Sequence, residues 1–288
     1  MNGFYNVIKP IGWSSSDAVI KIRGILRRHL GQKLKVGHLG TLDPLATGVL
    51  GVAVGSATKL FDYFLTKKKT YIATCSLGKS TTTLDEGGEV TDRADVPAIS
   101  DERLESVLSS FIGTYDQIPP AFSAKSVNGV RAYHLAQKGK EVELKPCSIT
   151  IYDCKLVERI SNEIFRFRVE CSGGTYIRSL CRDIGETLSL PAYMSALERI
   201  ENGSMHIEDA ATIEDIEEDI SKGFFSLEKF AATLKSVDFS DDYRKSIENG
   251  VKHKVDSEEG LCSVSINGKF FAIGNVKNGL LEIVARDR

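Results

Sequence analysis

Asp43 lies in the stretch Gly37-His38-Leu39-Gly40-Thr41-Leu42-Asp43-Pro44, a polar and Gly-rich setting in which an acid has two chemical uses. A carboxylate there can attack an electrophilic sugar carbon, or serve as one of a pair in acid–base work. Asp before Pro is also a common turn opener or helix cap, so local sequence leaves the plainer reading open. His38 divides in the same way, between a hydrogen-bonded loop residue and a group facing a ligand. Tyr71 shares one face of an alternating run with Ala73, Cys75 and Leu77, where a core aromatic is the ordinary assignment. Arg178 is less easily explained by structure alone. It falls about three residues into a helix expected after Thr175, where the helix dipole disfavours a cation. A carboxylate meeting the guanidinium would remove the difficulty, and Asp43 is a candidate; an exposed arginine is the alternative.

Other chemistries find no support. Gly78-Lys79-Ser80 imitates the end of a phosphate loop, but the glycine required five positions earlier is Ala73. Glycines 48, 51 and 55 do not fit a dinucleotide fingerprint, and neither His-Glu-x-x-His nor a Gly-x-Ser-x-Gly elbow occurs. The six cysteines, at 75, 147, 154, 171, 181 and 262, include no Cys-x-x-Cys pair and no histidine at zinc-finger spacing. Reduced thiols and no metal are the expectation.

The elements that must position these residues are readable in outline. The chain has 288 residues, 42 % hydrophobic and 26 % charged, enough for about two globular domains. Ser14, Ser15, Ser16 and Asp17 are good caps for a helix carrying Ala18, Val19, Ile22, Ile25 and Leu26 on one face and basic residues on the others. Val49–Val54 reads as a buried strand and Ser56–Leu65 as a helix. Strands are expected at Thr70–Leu77, Ile149–Val157, Glu163–Cys171 and Ala192–Ile200, and helices at Asp101–Phe111 and Tyr176–Leu188. The stretch 117–146, rich in Pro, Gly and basic residues, is too long for a simple connection and reads as a functional lobe. An acidic linker at 206–234 and a small β-rich unit at 235–288 complete the chain.

Net charge is −2, but it is unevenly spread. Residues 1–80 hold twelve Lys and Arg against three Asp, while 208–242 hold eleven acids against three lysines. Phosphate affinity follows local fields, so the basic N-terminal part admits a nucleic-acid partner as readily as it admits a solvated basic face. No apolar run approaches the ~20 residues of a bilayer span. Met1–Pro10 has neither a basic start nor an apolar signal segment, which points to the cytoplasm rather than to secretion.

Several stretches together resemble the bacterial tRNA pseudouridine-55 synthases, the TruB family. These are Lys9-Pro10-Ile11-Gly12 with the serines beyond, Gly37 to Leu50, Gly55-Ser56-Ala57-Thr58-Lys59, Lys69-Thr70-Tyr71, and Leu77-Gly78 with Thr81, Thr83 and Asp85. Pro119-Pro120-Ala121-Phe122-Ser123-Ala124 and Gly173-Gly174-Thr175-Tyr176-Ile177-Arg178-Ser179-Leu180 follow in order. The match covers roughly residues 5–200, and the segment after about 235 resembles more loosely the small PUA-like RNA-binding barrel. Two positions depart from the family pattern: Ser126 stands where Lys is usual, with Lys125 one place earlier, and Gln137 where Arg is common.

The resemblance implies an α+β fold, with a mixed and mainly antiparallel sheet flanked by helices. It implies a catalytic domain over 1–205 with the lobe at 117–146, and a PUA-like domain over 235–288. It makes Asp43 the catalytic aspartate, Tyr71 the ring that stacks on the target base, and Arg178 the partner of Asp43. His38, Tyr176 and Leu197 would line the substrate pocket, and Asp85 and Lys59 would hold that pocket or contact RNA. The implied reaction conserves atoms and needs no cofactor or metal. The implied partner is the T stem-loop of tRNA, met by a monomer that flips out the target base. Three rivals remain: an RNA-binding or RNA-folding protein that modifies nothing, a nucleoside or glycoside hydrolase with a second carboxylate, and a synthase acting on ribosomal RNA within a guide-RNA particle.

Overall fold

A computed structural model describes residues 1–123 and 144–286, together with the paired two-residue strands Ser126–Val127 and Val130–Arg131. Most of the expected lobe at 117–146 therefore lies outside the described residues, as do Lys125, Gln137 and the side chain of Ser126.

The N-terminal helix forms where its caps predict. Ser15–Leu30 is opened by Ser14, whose hydroxyl accepts from the Asp17 amide while the Asp17 carboxylate accepts from the Ser14 amide. Gly31 closes it in the left-handed region, and Ala18, Val19, Ile22, Ile25 and Leu26 are buried. This helix packs on a ten-stranded sheet whose main order is Phe224–Ser226, Gly3–Lys9, Ala46–Val54, Ala192–Asn202, Lys69–Leu77, Ile164–Cys171, Cys147–Arg159 and Gly113–Gln117. Val36–His38 and Met205–His206 pair at its margins. Every strand pairing in this sheet is antiparallel except that of Ala46–Val54 with Ala192–Asn202, where Leu197, Glu198 and Arg199 run parallel to Ala46, Thr47 and Gly48.

That parallel seam requires a glycine. Gly48 has φ +97°, and a Cβ there would lie 2.2 Å from the carbonyl oxygen of Arg199. Gly48→Ala is expected to cost more than ~2 kcal/mol and lower Tm by roughly 5 °C or more. A thermal melt unchanged within 1–2 °C, on the order of the smallest effects of surface substitutions, would refute the close approach.

The stretch 206–234 departs from its expectation as a linker. Phe224–Ser226 extends the main sheet by pairing with Gly3–Tyr5, and Ala211 and Gly223 bond the backbone of Asn6 and Ile8. Ile213–Glu218, capped by Thr212, lies against the N-terminal helix, and its Glu217 bridges Lys21 at 2.6 Å and Arg28 at 2.5 Å. The acids of this stretch dress its outer side, while Ile213, Ile216, Leu227 and Phe230 are buried.

The C-terminal part is a five-stranded sheet, ordered Lys235–Phe239, Gly260–Ile266, Lys269–Lys277, Leu280–Arg286 and His253–Lys254. Ile273 and Ala285 share one apolar cluster with Phe4, Phe64, Leu227 and Phe230 of the larger body. The Ser56 hydroxyl donates to the Arg286 carbonyl across the same seam, at 2.8 Å. No helix among the described residues is long and apolar enough to cross a membrane.

Candidate active site

Asp43 sits in a loop fixed from three sides. The Ser15 hydroxyl donates to the Leu42 carbonyl at 3.1 Å and accepts from the Leu42 amide at 2.8 Å, so the first helix holds the residue before the acid. The Gly12 amide donates to the Pro44 carbonyl at 2.8 Å, and the buried Lys9 ammonium reaches the same oxygen at 3.4 Å. From beneath, the Arg199 guanidinium donates to the carbonyls of Gly40 and Thr41, both at 3.3 Å, and to that of Val49 at 2.7 Å. The loop thus gains donors for carbonyls that no regular ladder would satisfy.

The helix Ile177–Thr187 brings Arg178 to the acid in its first turn. Arg178 Nε lies 2.9 Å from Asp43 Oδ2, and its Nη1 lies 3.3 Å from Asp85 Oδ2. Nη1 also donates to the Thr83 carbonyl and Nη2 to the Phe122 carbonyl, so a guanidinium only 6 % exposed meets four oxygens. Two carboxylates answer the dipole objection to a cation at this helix start. Asp85 is itself held, accepting from the Thr83 hydroxyl at 2.5 Å and the Gly87 amide at 3.1 Å. Tyr176 caps the helix without a side-chain bond of the usual kind. Buried Gln117 instead brackets its backbone, accepting from the Tyr176 amide and donating to the Tyr176 carbonyl. Gly173, in the preceding turn, approaches the Leu65 carbonyl so closely that a Cβ would stand 1.9 Å from it.

These elements enclose a cavity of about 220 Å³. Asp43, Arg178 and Tyr176 face it from the loop and the helix, and Tyr71 and Leu197 from the central strands. Pockets for drug-sized ligands run ~300–1,000 Å³, so this one suits a single planar base. Burial pushes the Tyr71 phenol above its ordinary range, against an opposing pull from Arg199. A phenol so held stays protonated near neutrality and presents a ring and a hydroxyl rather than a phenolate.

Two residues named by the resemblance are not part of this cavity's lining. His38 ends the short strand Val36–His38 and is not among the residues lining the cavity. Lys59 is exposed on the turn Gly55–Leu60 and borders a separate cleft against Ile247, Glu248 and Arg286 of the C-terminal part. Asp85 acts on the cavity from behind, through Arg178.

Sequence reading missed Arg199, Lys69, Lys9 and Gln117. Arg199 was within reach of a period-2 argument, since Leu197 and Arg199 share a strand face. Lys69 is two residues before Tyr71 and by the same rule shares its side. It lines the cavity, 5 % exposed, and donates to the carbonyls of Phe64, Leu65 and Lys67.

Burial, reinforced by Arg199, pushes Lys69 down to about 8. Burial also pushes Lys9 down to about 8, against a raising effect of Asp43. Unfolded lysines titrate near ~10.4, so between about 8 and 10 the unfolded chain binds more protons than the folded one, and these groups make stability rise with pH there. Wild-type Tm is therefore expected to gain on that of Lys69→Met as pH goes from about 7.5 to 9.5. Parallel melting curves over that window would contradict the assignment.

The sheet order and flanking helices are those of the pseudouridine synthase fold. Superposed over 99 % of this chain, a chain from an H/ACA RNP bound to a substrate RNA containing 2′-deoxyuridine gives a TM-score of 0.70 at 23 % identity, with 84 % of that chain covered. One from a Cbf5-Nop10-Gar1 complex gives 0.70 at 25 % identity, with 99 % of this chain and 83 % of that one covered. Residues 27–177 match the model of the TruB family pseudouridylate synthase N-terminal domain, and residues 178–238 that of the tRNA pseudouridylate synthase B C-terminal domain. The chain is 43 % identical over 253 residues to the tRNA pseudouridine synthase B of Clostridium perfringens, covering 88 % of this chain and 84 % of that protein. Over 292 residues it is 40 % identical to that of Clostridium kluyveri, covering 99 % of each. The chain belongs to the TruB family of pseudouridylate synthases, and is an isomerase.

Proposed function

We propose that this protein converts the uridine at position 55 of the tRNA T-loop to pseudouridine, with Asp43 as the catalytic carboxylate. The observation that carries the reading is Asp43 on the cavity wall with one oxygen bound by a buried arginine, 2.9 Å away. Arg178 takes Oδ2, which leaves Oδ1 for the ribose of the target nucleotide. The reaction breaks the N1–C1′ bond, turns the freed uracil, and joins C5 to C1′; C5 loses a proton and N1 gains one. A carboxylate beside C1′ serves the stage at which the sugar is electron-deficient.

Tyr71 and Leu197 flank the base, the phenol ring stacking on its face. Stacking of a base on an aromatic ring is worth ~1–3 kcal/mol, so Tyr71→Leu is expected to lower kcat/KM on a T stem-loop by roughly 10–100-fold. Extrusion of the base costs a few kcal/mol, which the exposed basic face of the first helix helps offset through phosphate contacts. In this reading the protein acts alone, as a monomer in the cytoplasm.

The test is incubation of unmodified tRNA with the purified protein, followed by chemical mapping of pseudouridine. Modification confined to position 55, also obtained on an isolated T stem-loop, is expected. Modification at other uridines only, or of ribosomal RNA in preference, would overturn the reading.

A further inference from the structure

Lys69 and Arg199 line the cavity while 5 % and 0 % exposed, and neither forms an ion pair among the described residues. Lys69 donates to the carbonyls of Phe64, Leu65 and Lys67, and Arg199 to those of Val49, Thr41 and Gly40. The two side chains meet beside Gly40, where an added Cβ would lie 3.9 Å from both Arg199 Nη1 and Lys69 Cε. Lys69 Nζ would stand 3.3 Å from a Cβ at Gly173, in the turn that approaches the Leu65 carbonyl.

Carbonyl dipoles satisfy N–H donors but leave the net charge uncancelled. Two adjacent buried cations without a carboxylate are costly to fold, since each ion loses hydration that no opposite charge restores. Either could be replaced at the wall by an apolar side chain of similar length. Their positive field falls on whatever base occupies the cavity.

Under the proposed reading, heterolysis of N1–C1′ leaves its electron pair on uracil, spread over N1, O2 and O4. The pair is then used again when C5 bonds to C1′, after which C5 gives up its proton and N1 takes one. The transient species is an anion held in a low-dielectric pocket, where fixed positive charge acts most strongly. We propose that Lys69 and Arg199 together stabilise this departing uracil anion, Asp43 and Arg178 serving the sugar side. The inference rests on the uridine isomerisation proposed above.

The experiment compares single-turnover rates on T stem-loops carrying uridine or 5-fluorouridine at the target position, followed by loss of the parent nucleoside after digestion. Fluorine at C5 withdraws electrons, so the departing base needs less help. Lys69→Met is expected to slow the uridine substrate by about 10²-fold and the 5-fluorouridine substrate by about 10-fold or less. Lys69→Arg, which keeps the charge, should stay within about 10-fold of wild type on both. Should Lys69→Met fold poorly, Lys69→Gln still donates to two of the three carbonyls and should show the same selective loss. Equal fold losses on the two substrates would overturn the proposal, leaving Lys69 as a wall residue. No isomerisation of uridine by the wild-type protein would overturn the functional reading instead.

Discussion

Asp43→Asn is expected to lower pseudouridine formation at least ~10³-fold while leaving affinity for a T stem-loop within about threefold. Asn keeps the shape and can still accept from Arg178 Nε through its amide oxygen. It cannot supply a negative charge or a nucleophilic oxygen to the ribose. The loop itself is held by Ser15, Gly12, Lys9 and Arg199 through backbone groups, none of which involves the Asp43 side chain. The fold should therefore survive, with Tm shifted by no more than roughly 2–3 °C. Single-turnover mapping and a binding titration on the same preparation separate the two effects. Turnover within tenfold of wild type would remove the carboxylate from the reaction.

Arg178→Ala should damage both stability and rate. Without the guanidinium, Asp43 and Asp85 lose their shared cation, and the carbonyls of Thr83 and Phe122 lose their donors. Removing one partner of a buried pair costs ~3–5 kcal/mol; Asp43 is 35 % exposed, so the lower end applies, a fall in Tm of roughly 5–10 °C. The freed carboxylate then loses its orientation, and a displacement near 1 Å can cost on the order of 10²-fold in rate. Arg178→Lys keeps the charge but not the planar fork that meets four oxygens, so a partial recovery of Tm with rate still about 10²-fold down is expected. Full activity in Arg178→Lys would show that charge alone, rather than the fork, positions Asp43.

Local rules reached the core of the site because its members break them. A cation at a helix start called for an acid, and the acid it meets is Asp43, 2.9 Å away. Alternation at Tyr71, Ala73, Cys75 and Leu77 marked a strand that the structure places in the middle of the sheet. The run of three serines and an aspartate marked the start of the first helix, which Ser14 caps. What escaped was non-local. Gln117 caps a helix 59 residues away through two bonds to the backbone of one residue, a substitute for the Ser or Asp cap that pattern reading seeks. Arg199 and Lys69 are charged residues in buried strand positions, which binary patterning assigns to solvent. Phe224-Phe225, with Ile213, Ile216, Leu227 and Phe230 spread among acids, carried the apolar hint that 206–234 packs on the sheet. Lys59, which its motif suggested for the pocket or for RNA contact, stands exposed at the cleft beside Arg286 and not on the cavity wall.

The pairing of Phe224–Ser226 with Gly3–Tyr5 has a bearing on how the chain is made. The strand Gly3–Lys9 waits for a partner more than two hundred residues downstream, so the nascent polypeptide carries an open sheet edge until that partner is made. Cutting the chain at residue 205 would make that exposure permanent, and such a fragment should associate through the unpaired backbone of Gly3–Lys9 rather than behave as an independent catalytic unit.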